Sequence, residues 1–418
     1  MSLRKNAVDN QNTYNRTRLR IVAGGMLASF FSLFLPKKKG RIVLNSHFNE
    51  AFDFNSKELF LYLLENGYDA WYVMNDSRRR KTLCAQYGNR FIETRSFRGK
   101  LFALRAPLWF VSTFEMPVGG LFLRCGRTIV HLTHGSLVKN VGLMEKNASF
   151  VKKIYYRLFV YTNLSYSIAT SDFFVPSTAS YTGLPQKRIL VTGFPRNDAL
   201  FHPAMEIPDI LRDNTFKILY APTWRKDADV RLFPFDGLDF AELNDFLREN
   251  NISIYIRLHP YNEVLLNRDS LHSNIRLFST AYCKEITDCL QYFDALITDY
   301  SSILYDFLLL DRPIMFFPYD YEEYEEKVGF AVDYSVVTPG HKPKTFADLK
   351  RALLDMKETD SFKQQRQEVN RLCNAYTDGS SMRLIKTLTE MSLKNKADNH
   401  FPNDFDVMQS SLRRTDDN

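Results

Sequence analysis

Short apolar, β-branched runs alternate with longer amphipathic segments from residue 41 to about residue 394, and the alternation restarts once on the way. Strands followed by helices rather than by tight turns run parallel, with helices covering the sheet faces. Arg41–Asn45, Ala70–Met74, Arg90–Glu93, Trp109–Thr113, Thr128–Thr133, Tyr166–Thr170 and Ile189–Thr192 read as strands of a first sheet. A polar, proline-bearing stretch, Phe194–Asn214, interrupts the pattern. Lys217–Ala221, Ile252–Leu258, Ile275–Phe278, Ala295–Thr298 and Pro313–Phe317 read as a second sheet. Helices are expected at Ser56–Asn66, Ser149–Tyr161, Asp239–Asn250, Lys284–Phe293, Ser302–Leu310, Thr345–Met356 and Ser380–Leu393. The 418 residues suffice for two domains. The expected organisation is α/β: an arm at 1–40, a Rossmann-like domain at 41–205, a second at 206–394 with a cleft between them, and a polar, disordered tail at 395–418.

Charge is unevenly placed. Residues 1–41 hold nine Lys/Arg against Asp9, so that +8 of the net +7 lies there and the remainder sums to −1. A general nucleic-acid surface is therefore not expected. Between the basic clusters runs the apolar segment Ile21–Leu35, shorter than the roughly 20 residues that cross a bilayer. Pro36-Lys-Lys-Lys39 follows it, without the small-residue cleavage site of a signal peptide. Apolar residues beside Lys and Arg suit an interfacial anchor on anionic lipid. A plain N-terminal helix packed on the body is the other reading. The five cysteines, at 84, 125, 283, 289 and 373, form no CxxC pair, which fits a reducing compartment without disulfides or structural zinc.

Four unusual segments each follow an expected strand: His134-Gly-Ser-Leu-Val-Lys139, Ala221-Pro-Thr-Trp-Arg225, Arg257-Leu-His-Pro260 and Thr298-Asp-Tyr-Ser-Ser302. Ligands of open α/β sheets bind at those strand ends. His134 can accept a proton from an attacking hydroxyl, and Gly135 lets a substrate come close to the backbone. A satisfied structural histidine is the competing interpretation, and Lys139 is a phosphate ligand or a solvated lysine. Arg257 and His259 share one strand face and suit phosphate charge, or else form a buried polar cap. Arg225 reads as a phosphate ligand or a surface arginine. Thr298 and Asp299 lead into Ser301 and Ser302, either of which makes a helix N-cap whose N–H groups can hold a pyrophosphate. Asp299 and Asp306 read as a metal pair, donor-hydroxyl ligands or cap residues.

In this order, and with Gly193-Phe-Pro-Arg-Asn-Asp198, Asp311-Arg-Pro-Ile314, Tyr319-Asp-x-Glu-Glu-Tyr324 and Gly329-Phe330, these motifs resemble the CDP-glycerol glycerophosphotransferase family over roughly residues 41–390. That family includes teichoic acid primases and polymerases and related capsule polymerases. The resemblance implies a GT-B fold, a peripheral place on the cytoplasmic face of a bacterial membrane, and a CDP-glycerol donor. It implies His134 as the base, His259 as a required catalytic residue, and Ser301 and Ser302 near the donor phosphates; Gly135, Lys139, Arg196, Arg225, Arg257, Thr298, Asp299 and Asp306 are the further substrate-binding candidates. Two departures stand out. Ser136-Leu-Val replaces the usual Thr-Pro-Leu after the His-Gly pair, and Asn49 and Phe54-Asn-Ser56 replace a glycine and Asp-Asn-Pro after the first strand.

The expected reaction is attack of an acceptor hydroxyl, deprotonated by His134, on the β-phosphorus of CDP-glycerol or a related CDP-polyol, releasing CMP. Protein cations would neutralise the phosphates, so no cofactor and no obligatory metal is expected. The expected partners are the CDP-polyol, a lipid-linked or polysaccharide acceptor and an anionic membrane surface. The alternative is a GT-B glycosyltransferase using a nucleotide sugar; a nucleotide-sugar epimerase and a non-catalytic scaffold are further rivals.

Overall fold

The computed structural model describes residues 2–145, 150–202, 206–223, 231–258 and 271–397. Arg225, His259 and most of the expected tail lie outside them. The chain forms two units, residues up to 135 with 142–198 and 378 onward, and residues 136–141 with 199–377.

The first unit is built on a seven-stranded parallel sheet of β1 (Arg41–Asn45), β2 (Asp69–Val73), β3 (Phe91–Ile92), β4 (Leu108–Val111), β5 (Thr128–His131), β6 (Tyr166–Ala169) and β7 (Ile189–Val191). The order across it is β3-β2-β1-β4-β5-β6-β7. Every residue of β1 and β4 is buried, which explains why they read as continuous apolar runs rather than alternating ones. The helix Phe54–Glu65 covers one face through Leu59, Phe60 and Leu63. Phe60 meets Phe52, Tyr72 and Phe91 edge-on, with centroids 5.2–6.0 Å apart.

The N-terminal helix, Ser2–Phe31, docks on this unit. Val22 and Ala28 are buried, and Arg18 Nε donates to buried Glu115 Oε1 at 2.7 Å. A Cβ on Gly25 would lie 2.0 Å from the Gly119 carbonyl oxygen, so the two backbones meet with no room for a side chain. The other face stays apolar and open at Leu27, Phe30 and Phe31. The reading of this segment as a helix packed on the body thus describes its inner face, and its outer face is apolar. Among the described residues no helix is long and apolar enough to cross a membrane.

The second unit has a five-stranded parallel sheet of β8 (Phe216–Tyr220), β9 (Ile252–Ile256), β10 (Ile275–Leu277), β11 (Ala295–Thr298) and β12 (Ile314–Phe316), ordered β10-β9-β8-β11-β12. Its core gathers Ile218, Ile254, Ile297 and Met315 with Leu243, Leu247 and Leu353 of the covering helices. Those helices start on side-chain caps: Asp239 accepts from Ala241 N, and Thr345 forms a reciprocal capping box with Asp348.

The expected helix Lys284–Phe293 is replaced by two short 3-10 turns, Ile286–Asp288 and Leu290–Tyr292. Arginines hold carbonyls of this segment instead, that of Lys284, which a helix would have used, and two at its end, where a helix leaves them free. Arg257 donates to Lys284 O at 3.0 Å, and Arg312 donates to Gln291 O at 2.8 Å and to Phe293 O.

Candidate active site

In the first unit the chain leaves β5 through Leu132 and Thr133 into His134 and Gly135. Thr133 has φ +53°, a costly place for a β-branched residue. The side chain helps to hold it there: Thr133 Oγ1 accepts from Gly135 N at 3.0 Å and donates to Gly135 O at 2.9 Å. Asn55, fully buried in the first turn of the helix Phe54–Glu65, grips the same turn. Its Nδ2 donates to Leu132 O (2.8 Å) and Thr133 O (3.0 Å), and its Oδ1 accepts from Arg196 N (3.0 Å). Arg196 then donates through its guanidinium to His134 O. The main chain of His134 is thus fixed from both sides, while the residue itself is exposed among buried neighbours. Its ring lies 6.2 Å from that of Phe54.

Arg196, expected near substrate, is a buried residue engaged with this turn. Residue type alone gave no sign of that, nor of the part played by Asn55. Sequence reasoning also passed over His131. This imidazole is fully buried, stacks on Phe114 at 4.6 Å and meets Ser167 Oγ at 3.3 Å through Nδ1. Burial, helped by nearby His134, pushes its pKa down to about 3, so it is neutral at physiological pH.

In the second unit the neighbouring strands β9, β8 and β11 bring three motifs to one sheet edge. Asp299 Oδ1 accepts from Thr223 N (2.8 Å), Thr223 Oγ1 (2.6 Å) and Tyr300 N (2.6 Å), and Thr298 Oγ1 donates to Ala221 O (2.8 Å). Asp299 therefore ties the segment after β8 to the segment after β11. Arg257 N donates to Tyr220 O, while its guanidinium supports Phe278 O and Lys284 O.

The helix after Asp299 is shorter than expected, Ile303–Leu308, and the Ser302 hydroxyl caps nothing. Ser302 already sits at helical φ/ψ (−66°, −9°), whereas a capping side chain needs an extended backbone to reach back. Ser301 Oγ accepts from Ile303 N at a long 3.4 Å. The N–H groups of Ser301 and Ser302 form no hydrogen bond among the described residues. Asp306 is buried within the helix.

The remaining motifs acquire a role here. Tyr300 stacks on Tyr324 at 4.1 Å, lies 5.6 Å from Phe330, and donates to Asp320 Oδ1 at 3.1 Å, while Tyr334 Oη donates to Asp299 O at 3.0 Å. Phe330 also bridges to Lys139, and Ala331 N donates to Val138 O. An aromatic box thus supports both the Asp299–Ser302 turn and the segment 136–141.

A model of the family described as CDP-glycerol:poly(glycerophosphate) glycerophosphotransferase matches residues 27–390. The teichoic acid glycerol-phosphate transferase of Staphylococcus aureus is 25% identical over 394 residues, covering 88% of this chain and 98% of that protein. The teichoic acid ribitol-phosphate polymerase TarL of the same species is 27% identical over 264 residues, covering 60% of this chain and 46% of that longer protein. Among solved structures, the wall teichoic acid polymerase TagF shares the fold with a TM-score of 0.68 at 19% identity, over 94% of this chain and 98% of that one. The α/β expectation with parallel sheets and the family resemblance read from the motifs are both borne out: the chain belongs to the CDP-glycerol:poly(glycerophosphate) glycerophosphotransferase family.

Proposed function

We propose that the chain transfers glycerol phosphate from CDP-glycerol to a hydroxyl of a membrane-linked or polysaccharide acceptor, releasing CMP, in the synthesis of a teichoic-acid-like polymer. The observation that carries this reading is an exposed imidazole on an immobilised turn, in a chain of this family. His134 takes the acceptor proton, the acceptor oxygen bonds to the β-phosphorus, and the bond to CMP breaks. The second unit supplies the donor contacts. The unengaged N–H groups of Ser301 and Ser302 hold phosphate oxygens, with Arg225, His259 and Lys139 as the charged ligands. Thr298 and Asp299 keep the turn in shape, and Arg257 supports the loop beside it. Gly135 leaves room for the acceptor. Positioning and charge neutralisation are the main levers of such a transfer.

The match to a ribitol-phosphate polymerase favours a second donor, CDP-ribitol, on the same site. The outer face of the N-terminal helix, continued by Phe34 and Lys37–Lys39, suits peripheral attachment to an anionic membrane on its cytoplasmic side.

The test is CMP release by the purified chain from CDP-glycerol and from CDP-ribitol with membrane acceptors. His134→Ala should lower turnover about 10²–10⁴-fold while donor binding persists. Near-normal turnover in that variant refutes the assignment of the base, and absence of CMP with either donor refutes the reaction.

A further inference from the structure

All strands of the first sheet are parallel, so the loops after β3, β2, β1, β4 and β5 share one edge with His134. The far end of that edge is basic. The helix Ser77–Tyr87 follows β2 and opens with Ser-Arg-Arg-Arg-Lys, and the helix Phe97–Leu104 follows β3 with Arg95 and Arg98 at its start. The carboxylates nearby are already engaged. Asp76 accepts from Arg79 N at 2.8 Å, Glu93 accepts from the N–H groups of Arg95 and Ser96, and Glu50 pairs with Arg95 at 2.6 Å. Arg79 and Arg80 donate to the carbonyls of Glu50 and Met74. Arg78, Lys81 and Arg98 are exposed, and their side chains form no hydrogen bond or ion pair among the described residues.

The loops between this cluster and His134 are joined to one another. Thr94 N donates to Asn75 Oδ1, Asn75 N to Asn49 O, and Asn49 Nδ2 to Met116 O. Four strand intervals separate β3 from β5 in the order of the sheet, or roughly 19 Å. A single phosphate acceptor near His134 cannot reach so far. A chain of phosphodiesters can.

Resting on the reaction proposed above, we infer that Arg78, Lys81 and Arg98 form a binding subsite for the body of a polyanionic acceptor, a phosphodiester chain whose terminal hydroxyl lies at His134. The alternative occupant, a lipid surface, fits less well. Phe97 is the one large apolar side chain markedly exposed in these two helices, whereas the exposed apolar residues gather on other elements, at Leu27, Phe30 and Phe34 and at Phe150, Ile154 and Leu158. Polyanion binding of this kind weakens steeply with salt.

The experiment uses the full chain and the triple variant Arg78→Gln, Lys81→Gln, Arg98→Gln. The probes are a labelled glycerol-phosphate oligomer long enough to span the edge, and vesicles containing phosphatidylglycerol. The variant should bind the oligomer about tenfold more weakly, with a shallower salt dependence, and keep its vesicle binding and melting temperature. In turnover, its KM for the oligomer should rise by a similar factor with kcat unchanged. Oligomer binding equal to that of the unaltered chain overturns the inference. So does a loss of vesicle binding alone, which would make the cluster a lipid contact. Because oligomer binding is read without CDP-glycerol, failure of the proposed reaction leaves this result standing on its own.

Discussion

Asn55 offers the sharpest test of how the His134 turn is held. Two acceptors, Leu132 O and Thr133 O, face one end of its amide and one donor, Arg196 N, faces the other, so a single orientation of the amide satisfies all three. Asn55→Ala strands these three main-chain groups in a fully buried site. Each costs about 1–3 kcal/mol when left unpaired, carbonyls less than an N–H, so the expected loss is about 3–5 kcal/mol. Urea unfolding should show a lower midpoint at an unchanged slope. Asn55→Asp keeps the volume but sets a carboxylate oxygen against two carbonyls, and should be at least as destabilising at neutral pH. In both variants kcat should fall about 10²-fold, because freedom at the turn displaces the imidazole from its line of approach. An Asn55→Asp protein with full stability and full turnover would refute the reasoning, since it would show that the amide protons do not hold the turn.

Other consequences follow from the same geometry. His131 has a folded pKa near 3 against 6.5 when unfolded, so the unfolded chain binds the extra proton between those values. Its contribution is whole above pH 6.5 and declines by about 1.4 kcal/mol per pH unit below it; His131→Phe should flatten that acid limb in pH-dependent unfolding, and an unchanged limb would exclude this histidine as the cause. Gly193 has φ +78°, and a Cβ there would sit 2.4 Å from Ser380 Oγ. Gly193→Ala should therefore lose about 1–3 kcal/mol in thermal unfolding, and a neutral effect would mean the start of the last helix gives way freely. Ser302→Ala should leave the melting temperature unchanged because no cap is lost, whereas Ser302→Asp should weaken CDP-glycerol binding about tenfold by repulsion. Equal donor affinity in Ser302→Asp would remove this turn from the phosphate site.

The strands were legible because most are buried on both faces, and a buried parallel strand has little choice but to be apolar throughout. Ile252–Ile256 is five buried residues, and no helix period fits its β-branched sequence. The segment 284–293 misled because Cys289, Leu290 and Phe293 mimic a helical stripe, while the arginines that occupy its carbonyls come from residues 257 and 312. Periodicity also kept residues 380–394 with the second domain. The Asp198 carboxylate accepts from Ser380 N (2.8 Å) and Ser381 N (2.9 Å), which seats that helix on the first unit. In the site, motif spacing located the turns but not their supports. That Asp299 would bind Thr223, or Arg196 the His134 carbonyl, depends on which strands are neighbours, and a single sequence does not state that order.

The contact between Gly25 and Gly119 makes the N-terminal segment something other than a detachable leash. The loop it presses on, 115–120, is held from the opposite side by Asn45, which donates to Glu115 O at 2.7 Å, and by Asn49. Cutting the helix away would expose the buried Glu115 carboxylate without Arg18 and open the groove at Gly119 to water. The chain is therefore a poor candidate for trimming from its N-terminus to gain solubility. A shortened version would need Glu115 and Gly119 redesigned for a wet surface, whereas replacing Phe30 and Phe34 by serine would blunt the apolar outer face and leave the docked face as it is.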